Sequence, residues 1–458
     1  MLINADLTAV DLVAKISDMW TASAAKIRAI EDRYTPELGT PVFTIEGKYT
    51  ARGWTEWTQG FQYGSAILQF DATGDAEFLE IGRQKTVELM APHVTHMGVH
   101  DHGFNNVSTY GNLLRLMNEG RIAESAGERN FYELALKCSG AVQARRWSPT
   151  ADGGGYIYSF NGPQSLFADT VRSLRALAVA HQLGHALMDE QDKRVSLLGR
   201  LVDHARATAA WNVYYGDGRD SYDLRGRVAH ESIFNVSNGV YRCPSSQQGF
   251  SPFTTWTRGL AWIICGYPEE LEFLTTLDDA ELEPYGGRMD IEAMMRKAAH
   301  ASCDFFIENT CADGIPMWDT GAPNLHRLPA DYLEKTSVPN NQWEPVDSSA
   351  AAIAAQGLLR FGRYLRERGD SETGNRYWQA GLTTLNTLLS ESYLSTDDAH
   401  EGLLLHSVYH QPNGWDHVPD GARVPLGESS MWGDYHLRET ALYLQRVVEN
   451  GPYYRFYL

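Results

Sequence analysis

Apolar residues recur along most of this chain at the three- and four-residue spacing that is typical of helices buried on one face. Ile353, Leu358 and Phe361 lie on one such stripe. Asp347 precedes that stripe and is suited to cap the N-terminus of its helix. The pattern predicts about twelve helices, near residues 7–32, 57–73, 76–92, 106–119, 125–144, 166–184, 195–214, 257–273, 290–309, 347–367, 373–391 and 435–448.

The segments between these helices are rich in Gly, Pro, Asn and aromatic residues, which favours loops. The longest of them cover residues 148–165 and 312–346. Short strands are predicted at 42–45, 156–160 and 240–243.

This succession of helices favours an all-α toroid, in which paired helices are stacked in a ring. An open helical solenoid has the same periodicity. A closed ring better explains the long loops, because they would gather at one mouth and build a pocket there. No Pro/Ser-rich linker divides the chain, so we expect a single domain over residues 1–458.

Composition and charge narrow the classes of partner. The formal net charge of −19 argues against nucleic acid, although local Arg and His residues would still allow an acidic sugar to bind. The 12 Trp and 23 Tyr suit stacking on sugar rings, and large cores also use them. We therefore expect a carbohydrate partner and not a nucleic acid.

Targeting and redox features point to a reducing compartment. The first 20 residues have the pattern of an amphipathic helix and lack the basic start of a signal peptide. No segment is long and apolar enough to span a membrane. The five cysteines are scattered and form no CxxC pair, so we predict neither a disulfide framework nor a metal site. A cytoplasmic setting without a metal or organic cofactor follows.

Residues 247–266, QQGFSPFTTWTRGLAWIICG, form the most informative stretch. Gln247 and Gln248 begin a loop, and an aromatic and apolar run follows. Arg258 stands four residues before Trp262, so both side chains share one face of a helix. A guanidinium beside an indole suits a planar, negatively charged ligand. The alternative is a buried helix with one snorkelling arginine.

Two further segments carry candidate site residues. In WTQGF, Trp57 is either a stacking platform for a sugar or part of helix–helix packing. In HDHGF, Asp101 lies between His100 and His102. Adjacent residues do not easily ligate one ion and no third ligand is evident, so a metal site is disfavoured. A loop Asp that caps the next helix is the structural alternative.

Asp169 lies at the start of a predicted helix, in SLFADTVRSLRAL. Its apolar neighbours tend to raise the pKa of a carboxyl, which suits a general acid. Arg172 stands one turn further on, and a surface pair between Asp169 and Arg172 would lower that pKa instead.

These segments together resemble the unsaturated glucuronyl hydrolases, glycoside hydrolase family 88. The family elements are Trp-Thr-x-Gly-Phe, His-Asp-x-Gly-Phe, Asp-x-x-x-Asn, His-Gln-Gly-Tyr and Trp-x-Arg-Gly-x-Ala-Trp. Their counterparts here are residues 57–61, 100–104, 169–173, 247–250 and 256–262. The resemblance extends from about residue 50 to residue 448, in the expected order. Gln247 replaces the family's His, and Ser173 replaces its Asn.

The resemblance implies an (α/α)6 barrel with long loops at the active-site mouth, and it assigns roles to individual residues. Asp169 would be the principal acid/base, and Asp101 the second active-site carboxylate. The implied substrate-binding residues are Trp57, Trp147, His204, Gln247, Gln248, Arg258 and Trp262. His204 matches a helix histidine of the family, Trp147 a Ser-Trp element, and His230 has a looser counterpart.

The resemblance also implies a reaction, the release of a 4,5-unsaturated glucuronic acid from the non-reducing end of lyase-generated oligosaccharides by hydration of the C4=C5 bond. A monomer or homodimer is expected. Three alternatives stay open: a hydrolase of saturated β-glucuronides, a sugar epimerase that uses paired histidines, and a non-catalytic sugar-binding toroid.

Overall fold

The computed structural model describes residues 1–53 and 56–457. Twelve helices make up most of this described chain, and two of them are broken into segments. They are α1 (Val13–Arg33), α2 (Gln59–Thr73), α3 (Ala76–Leu89), α4 (His102–Asn106, Val107–Gly111 and Asn112–Asn118), α5 (Ala126–Arg145), α6 (Thr170–Ser173 and Arg175–Gln182), α7 (Leu197–Trp211), α8 (Thr257–Leu274), α9 (Arg288–Glu308), α10 (Ser348–Glu367), α11 (Ser371–Leu388) and α12 (Met431–Val448).

The even-numbered helices form a closed inner ring. Each packs against the next, from α2 through α4, α6, α8 and α10 to α12, and α12 packs back against α2. The odd-numbered helices lie outside this ring and are exposed on one face, whereas nearly every residue of α8, α10 and α12 is buried. The predicted (α/α)6 barrel is thus the observed fold, and the open solenoid is not.

Small residues set how closely the inner helices approach. A Cβ atom on Gly357 of α10 would lie 2.1 Å from the carbonyl oxygen of Ile264 in α8. Only glycine therefore allows this contact between the two backbones.

Buried ion pairs stabilise the end of the barrel interior that the C-terminal segment covers. The Arg172 guanidinium pairs with Glu269 of α8 and with Glu439 of α12, the latter over 2.9 Å. Arg360 of α10 pairs with Glu272 over 2.6 Å and donates to the backbone oxygen of Tyr454 over 3.0 Å. These contacts link four inner helices to the C-terminal segment, which covers that end of the ring.

The described part of the chain has nine short strands in its connecting segments: β1 (Pro41–Ile45), β2 (Lys48–Ala51), β3 (Trp147–Pro149), β4 (Gly155–Ile157), β5 (Ser165–Phe167), β6 (Leu187–Asp189), β7 (Lys193–Val195), β8 (Glu231–Phe234) and β9 (Tyr241–Ser245). All pairings between them are antiparallel, and β5, β8 and β9 make one three-stranded sheet.

The predicted helices are all present, and their starts show the largest differences. The first begins at Val13 instead of residue 7, the fourth at His102 instead of residue 106, and the last at Met431 instead of residue 435. Asp347 caps α10 as predicted, since its carboxylate accepts from the backbone N–H of Ser349 and Ala350. No helix in the described chain combines the length and apolar character needed to cross a membrane.

Candidate active site

A cavity of about 300 Å³ opens at one end of the barrel. Its lining consists of aromatic side chains and a few convergent polar groups, as in many small-molecule sites. The lining residues are Trp57, His96, Gly98, Val99, His100, Asp101, Phe104, Phe160, Asp169, Gln247, Gln248, Trp256, Arg258, Trp262, Tyr409, His410 and Trp415.

Three of the charged lining residues come from the N-terminal ends of inner helices. Asp101 directly precedes α4, Asp169 directly precedes α6, and Arg258 lies in the first turn of α8. Helix N-termini carry partial positive charge and unpaired N–H groups. The cavity end of the barrel is therefore suited to an anionic ligand, although the whole chain is acidic.

The three-stranded sheet brings distant parts of the sequence to this mouth. Phe167 of β5 pairs with Glu231 of β8, which pairs in turn with Ser245 of β9. Asp169 follows the first strand by two residues, and Gln247 follows the third by two. The loop before the middle strand also contributes, because His230 Nδ1 accepts hydrogen bonds from the backbone N–H of residues 247 and 248, over 3.1 and 3.2 Å.

Ser173 clamps the two carboxylate-bearing segments together. The backbone N–H of Gly103 donates to its hydroxyl over 2.9 Å, and that hydroxyl donates to the carbonyl oxygen of His100 over 2.8 Å. A Cβ on Gly103 would lie 2.2 Å from the backbone oxygen of Ser173. The small side chain of Ser173 and the missing Cβ of Gly103 thus allow α4 and α6 to begin side by side.

Asp101 and Asp169 both face the cavity, with the His100 ring between them. His100 Nε2 lies 3.2 Å from Asp169 Oδ1 and 3.7 Å from Asp101 Oδ1. The ring also contacts Phe160 and Phe167. The Asp169 carboxylate is therefore fixed by a hydrogen bond to His100, whereas no described residue donates a hydrogen bond to the Asp101 carboxyl.

The three groups shift each other's pKa in different directions. Burial raises the pKa of Asp101, and attraction to His100 offsets only part of this rise. Burial acts on Asp169 in the same sense, but the hydrogen bond and charge of His100, together with the charges of His230 and Arg258, outweigh it and hold the pKa of Asp169 below its ordinary value. Burial would lower the pKa of His100, yet the two carboxylates outweigh it and raise that pKa.

The prediction that apolar neighbours raise the pKa of Asp169 is therefore wrong. Arg172 is not the cause, because its buried guanidinium turns into the barrel and pairs with Glu269 and Glu439. The surface pair between Asp169 and Arg172 does not form. The lowered pKa comes from His100 instead.

Arg258 organises the opposite wall of the cavity. Its Nη1 donates to Asp347 Oδ2 over 3.1 Å and to the backbone oxygen of Val408. Its Nη2 donates to Gln248 Oε1 over 3.0 Å and to the backbone oxygen of Tyr409 over 2.8 Å. Each terminal nitrogen thus has two protein acceptors, so this guanidinium holds other site residues in place.

Aromatic rings complete the walls. The Trp57 ring stacks on Trp432 with a centroid separation of 5.0 Å. Arg258 lies over the rings of Trp256 and Trp432, at 4.5 and 4.9 Å, and not over Trp262. Such cation–π contacts add to the rigidity of the site.

Two predicted substrate-binding residues do not line the cavity. His204 is buried, where Nδ1 accepts from the backbone N–H of Ile157 over 3.0 Å and Nε2 contacts the Thr208 hydroxyl. Trp147 lies under the Arg200 guanidinium, 3.6 Å from ring centroid to Cζ. Both side chains contribute to packing near β3 and β4, so their assignment to substrate is not supported.

The site also contains residues that the sequence interpretation passed over, namely His96, Phe104, Phe160, Trp256, Tyr409, His410 and Trp415. Tyr409 and His410 stand in the segment 404–410, which resembles family sequence, and this was the available signal. Within residues 1–53 and 56–457, no group of three or more His, Cys, Asp or Glu side chains is arranged to hold a metal ion.

Comparisons with known proteins agree with this architecture. No family model matches the chain. The chain is 28% identical over 452 residues to the unsaturated glucuronyl hydrolase of Bacillus sp. (strain GL1), covering 96% of this chain and 98% of that protein. It is 24% identical over 428 residues to the unsaturated chondroitin disaccharide hydrolase of Streptococcus pyogenes serotype M1, covering 91% and 88%.

A crystal structure gives the same result for the fold. The unsaturated glucuronyl hydrolase of Bacillus sp. GL1, described as responsible for the degradation of glycosaminoglycan, has a TM-score of 0.70 at 22% identity, covering 97% of this chain and 98% of that one. The predicted fold class and the predicted family resemblance are confirmed.

Proposed function

We propose that this chain, a homologue of the unsaturated glucuronyl hydrolases, removes a 4,5-unsaturated glucuronic acid from the non-reducing end of oligosaccharides that polysaccharide lyases produce. The observation that carries this proposal is the pair of carboxylates, Asp101 and Asp169, on either side of His100 in a cavity of aromatic walls. The curated relatives support the same reaction.

The substrate's double bond decides the chemistry. Because C4=C5 is conjugated with the ring oxygen, it is an enol ether, and protonation at C4 leaves an oxocarbenium-like centre at C5. Water adds to C5, and the resulting hemiketal opens with loss of the aglycone. Ordinary glycosidases attack the anomeric carbon instead.

We assign the proton transfers to Asp169. It would give a proton to C4 and then accept one from the attacking water, so that a single carboxyl serves as acid and as base. Asp101 would hold ring hydroxyls, because its carboxyl faces the cavity, with His100 Nε2 at 3.7 Å and no hydrogen bond from a described residue. The raised pKa of Asp101 also suits a group that can donate a hydrogen bond.

Gln248 is our candidate for binding the sugar carboxylate. Its Oε1 accepts from Arg258 over 3.0 Å, which turns the Nε2–H groups toward the ligand. The N-terminal turn of α8 adds positive potential beside it. Arg258 would then act by orienting Gln248 and by its charge. Trp57, Trp262 and Gln247 would contact the sugar rings.

The geometry weighs against two of the three alternatives. Of the histidines that an epimerase could pair with His100, the His102 ring points to Ser139 and to the backbone oxygen of His96, and the His204 ring is engaged in packing outside the cavity lining. A saturated β-glucuronide hydrolase is still the natural competitor, since two carboxylates would serve it equally. A non-catalytic sugar-binding protein would have little use for a carboxylate pair held at different pKa.

The deciding experiment follows the ultraviolet absorbance of the conjugated double bond in a panel of lyase-generated unsaturated disaccharides. We expect rapid loss of absorbance on at least one of them, no cleavage of a saturated glucuronide, and no turnover by Asp169→Asn. The exposed Asp398→Asn is the matched control. Cleavage of the saturated glucuronide alone would refute the proposal.

We also propose a cytoplasmic location. The five cysteines are all unpaired, which is typical of a reducing compartment. A monomer or homodimer stays our expectation for the assembly.

A further inference from the structure

His100 occupies an unusual position in the cavity. Its Nε2 contacts Asp169 at 3.2 Å and approaches Asp101 at 3.7 Å, while its Nδ1 is buried with no hydrogen-bond partner among the described residues. A ring that only supported the loop would be expected to use Nδ1 as well. All of its polar contacts are instead directed at the two carboxylates.

We propose that His100 is the positioning residue that stores, on Nε2, the proton that Asp169 delivers to the substrate. This inference rests on the proposed function of the site. It assigns a role to the histidine and leaves Asp169 as the group that touches the reacting carbon.

The surroundings of the ring favour this role. The Phe160 and Phe167 rings pack against it. The charged and titratable groups that act on it are Asp101 from its own loop, Asp169 from the start of α6, Arg146 after α5, His204 from α7 and His230 before β8. Burial lowers the pKa of His204 to about 3 and that of His230 to about 4, so neither competes for the proton.

The charge state of the pair explains how a carboxyl with a lowered pKa acts as an acid. The pKa of His100 is raised and that of Asp169 is lowered, so the proton they share resides on the imidazole in the free protein. A hydrogen bond of 3.2 Å joins the two sites. With its pKa lowered in this way, Asp169 is ionised near neutral pH and has no proton of its own to give.

The transfer conserves atoms and electrons. The Nε2–H bond of the imidazolium breaks as an O–H bond forms on Asp169, which leaves a neutral imidazole. That O–H bond then breaks as the π electrons of C4=C5 form the new C4–H bond. Water adds to C5 and releases its proton to Asp169, from which it returns to Nε2. Water is the only co-reactant consumed.

A purely structural role for His100 makes a different prediction. Its backbone oxygen already ties the loop to α6 through Ser173, and this tie does not need the imidazole. Loss of a structural ring would lower activity uniformly across pH. Loss of a proton store would move the alkaline limit of activity.

The test compares His100→Gln with the matched control His102→Gln, which removes the neighbouring buried imidazole. We expect His100→Gln to lower kcat by at least tenfold and to shift the alkaline limb of the pH profile of kcat/KM downward by one unit or more. The reason is that a carboxyl would then hold the proton, and its ordinary pKa of about 3.9 lies below the value of about 6.5 for an imidazole. An unchanged alkaline limb in His100→Gln would overturn the proposal, and His102→Gln should keep the original limb.

A second measurement does not depend on turnover or on that variant folding. NMR titration of the imidazole carbons in the ligand-free protein should show one histidine whose pKa falls by a unit or more in Asp169→Asn. An unchanged histidine titration would refute the pairing. If the original protein hydrolyses no unsaturated disaccharide while the titration shift is observed, the proposed function fails and the pairing stands.

Discussion

The Arg258 guanidinium donates a hydrogen bond from Nη2 to Oε1 of Gln248 over 3.0 Å, and so fixes which end of that carboxamide faces the cavity. An amide carries donors at one end and an acceptor at the other. With Oε1 engaged, Nε2 is the end left for a ligand. The wall is therefore built to donate hydrogen bonds to an anion.

Replacing Gln248 by Glu should weaken substrate binding. The new carboxylate would keep the contact with Arg258 but would face the substrate's own carboxylate, and repulsion of about 1.4 kcal/mol would raise KM about tenfold. Steady-state kinetics on an unsaturated disaccharide measure this. Gln84→Glu, an exposed position on α3, is the control. Equal KM values for the two variants would rule out carboxylate binding at residue 248.

Trp57 should contribute through its ring face. It stacks on Trp432 at 5.0 Å and lines the cavity, so a sugar can pack against it. We expect Trp57→Ala to raise KM about tenfold and Trp57→Phe to raise it less, since a buried aromatic contact contributes roughly 1 kcal/mol beyond area. A KM unchanged in Trp57→Ala, with thermal stability lowered, would indicate helix packing alone.

The sequence predicted the ring and most of the mouth for separate physical reasons. Helical periodicity and the N-cap at Asp347 are local, so the twelve helices could be predicted without tertiary information. Asp101, Asp169 and Arg258 were found because short motifs mark where inner helices begin. The whole cavity lies at that end of the barrel.

Long-range contacts were not predictable in this way. Arg172 was placed beside Asp169 because it is one turn away. Its guanidinium instead pairs with Glu269 and Glu439, which lie 97 and 267 positions further along the chain. His204 and Trp147 are on elements near the cavity yet turn into the packing. The role of Arg258 toward Gln248 likewise depends on a loop that folds back ten residues.

Asp101→Asn should distinguish the contribution of Asp101 to activity from that of Asp169. The variant keeps the size of the side chain but changes the hydrogen-bonding of a group that faces the ligand. Removal of one such stabilising contact typically costs about 10²–10³ in kcat. We expect this loss in absorbance-based kinetics, with the pH limits still set by Asp169 and His100. Turnover equal to that of Asp398→Asn would exclude a catalytic role for Asp101.

The buried charge network should control stability separately from activity. Arg172→Met would leave Glu269 and Glu439 without their main partner in the barrel interior, where Arg175 approaches them only at 3.9 and 3.5 Å. Removing one partner of a buried ion pair typically lowers the free energy of unfolding by about 3–5 kcal/mol, and we expect a loss of that size here. The exposed Arg28→Met, which loses surface contacts to Asp75 and Glu77, should cost less than about 1 kcal/mol.

The effect should depend on pH with a defined sign. Burial alone would raise the pKa of Glu439, but Arg172 and Arg175 outweigh it and lower that pKa in the folded protein. A lowered folded pKa contributes stability above the unfolded value of about 4.3 and loses it as pH falls. The difference in Tm between the original protein and Arg172→Met should therefore be largest near pH 7 and shrink near pH 4. A difference that is constant with pH would show that Glu439 is not the group left uncompensated.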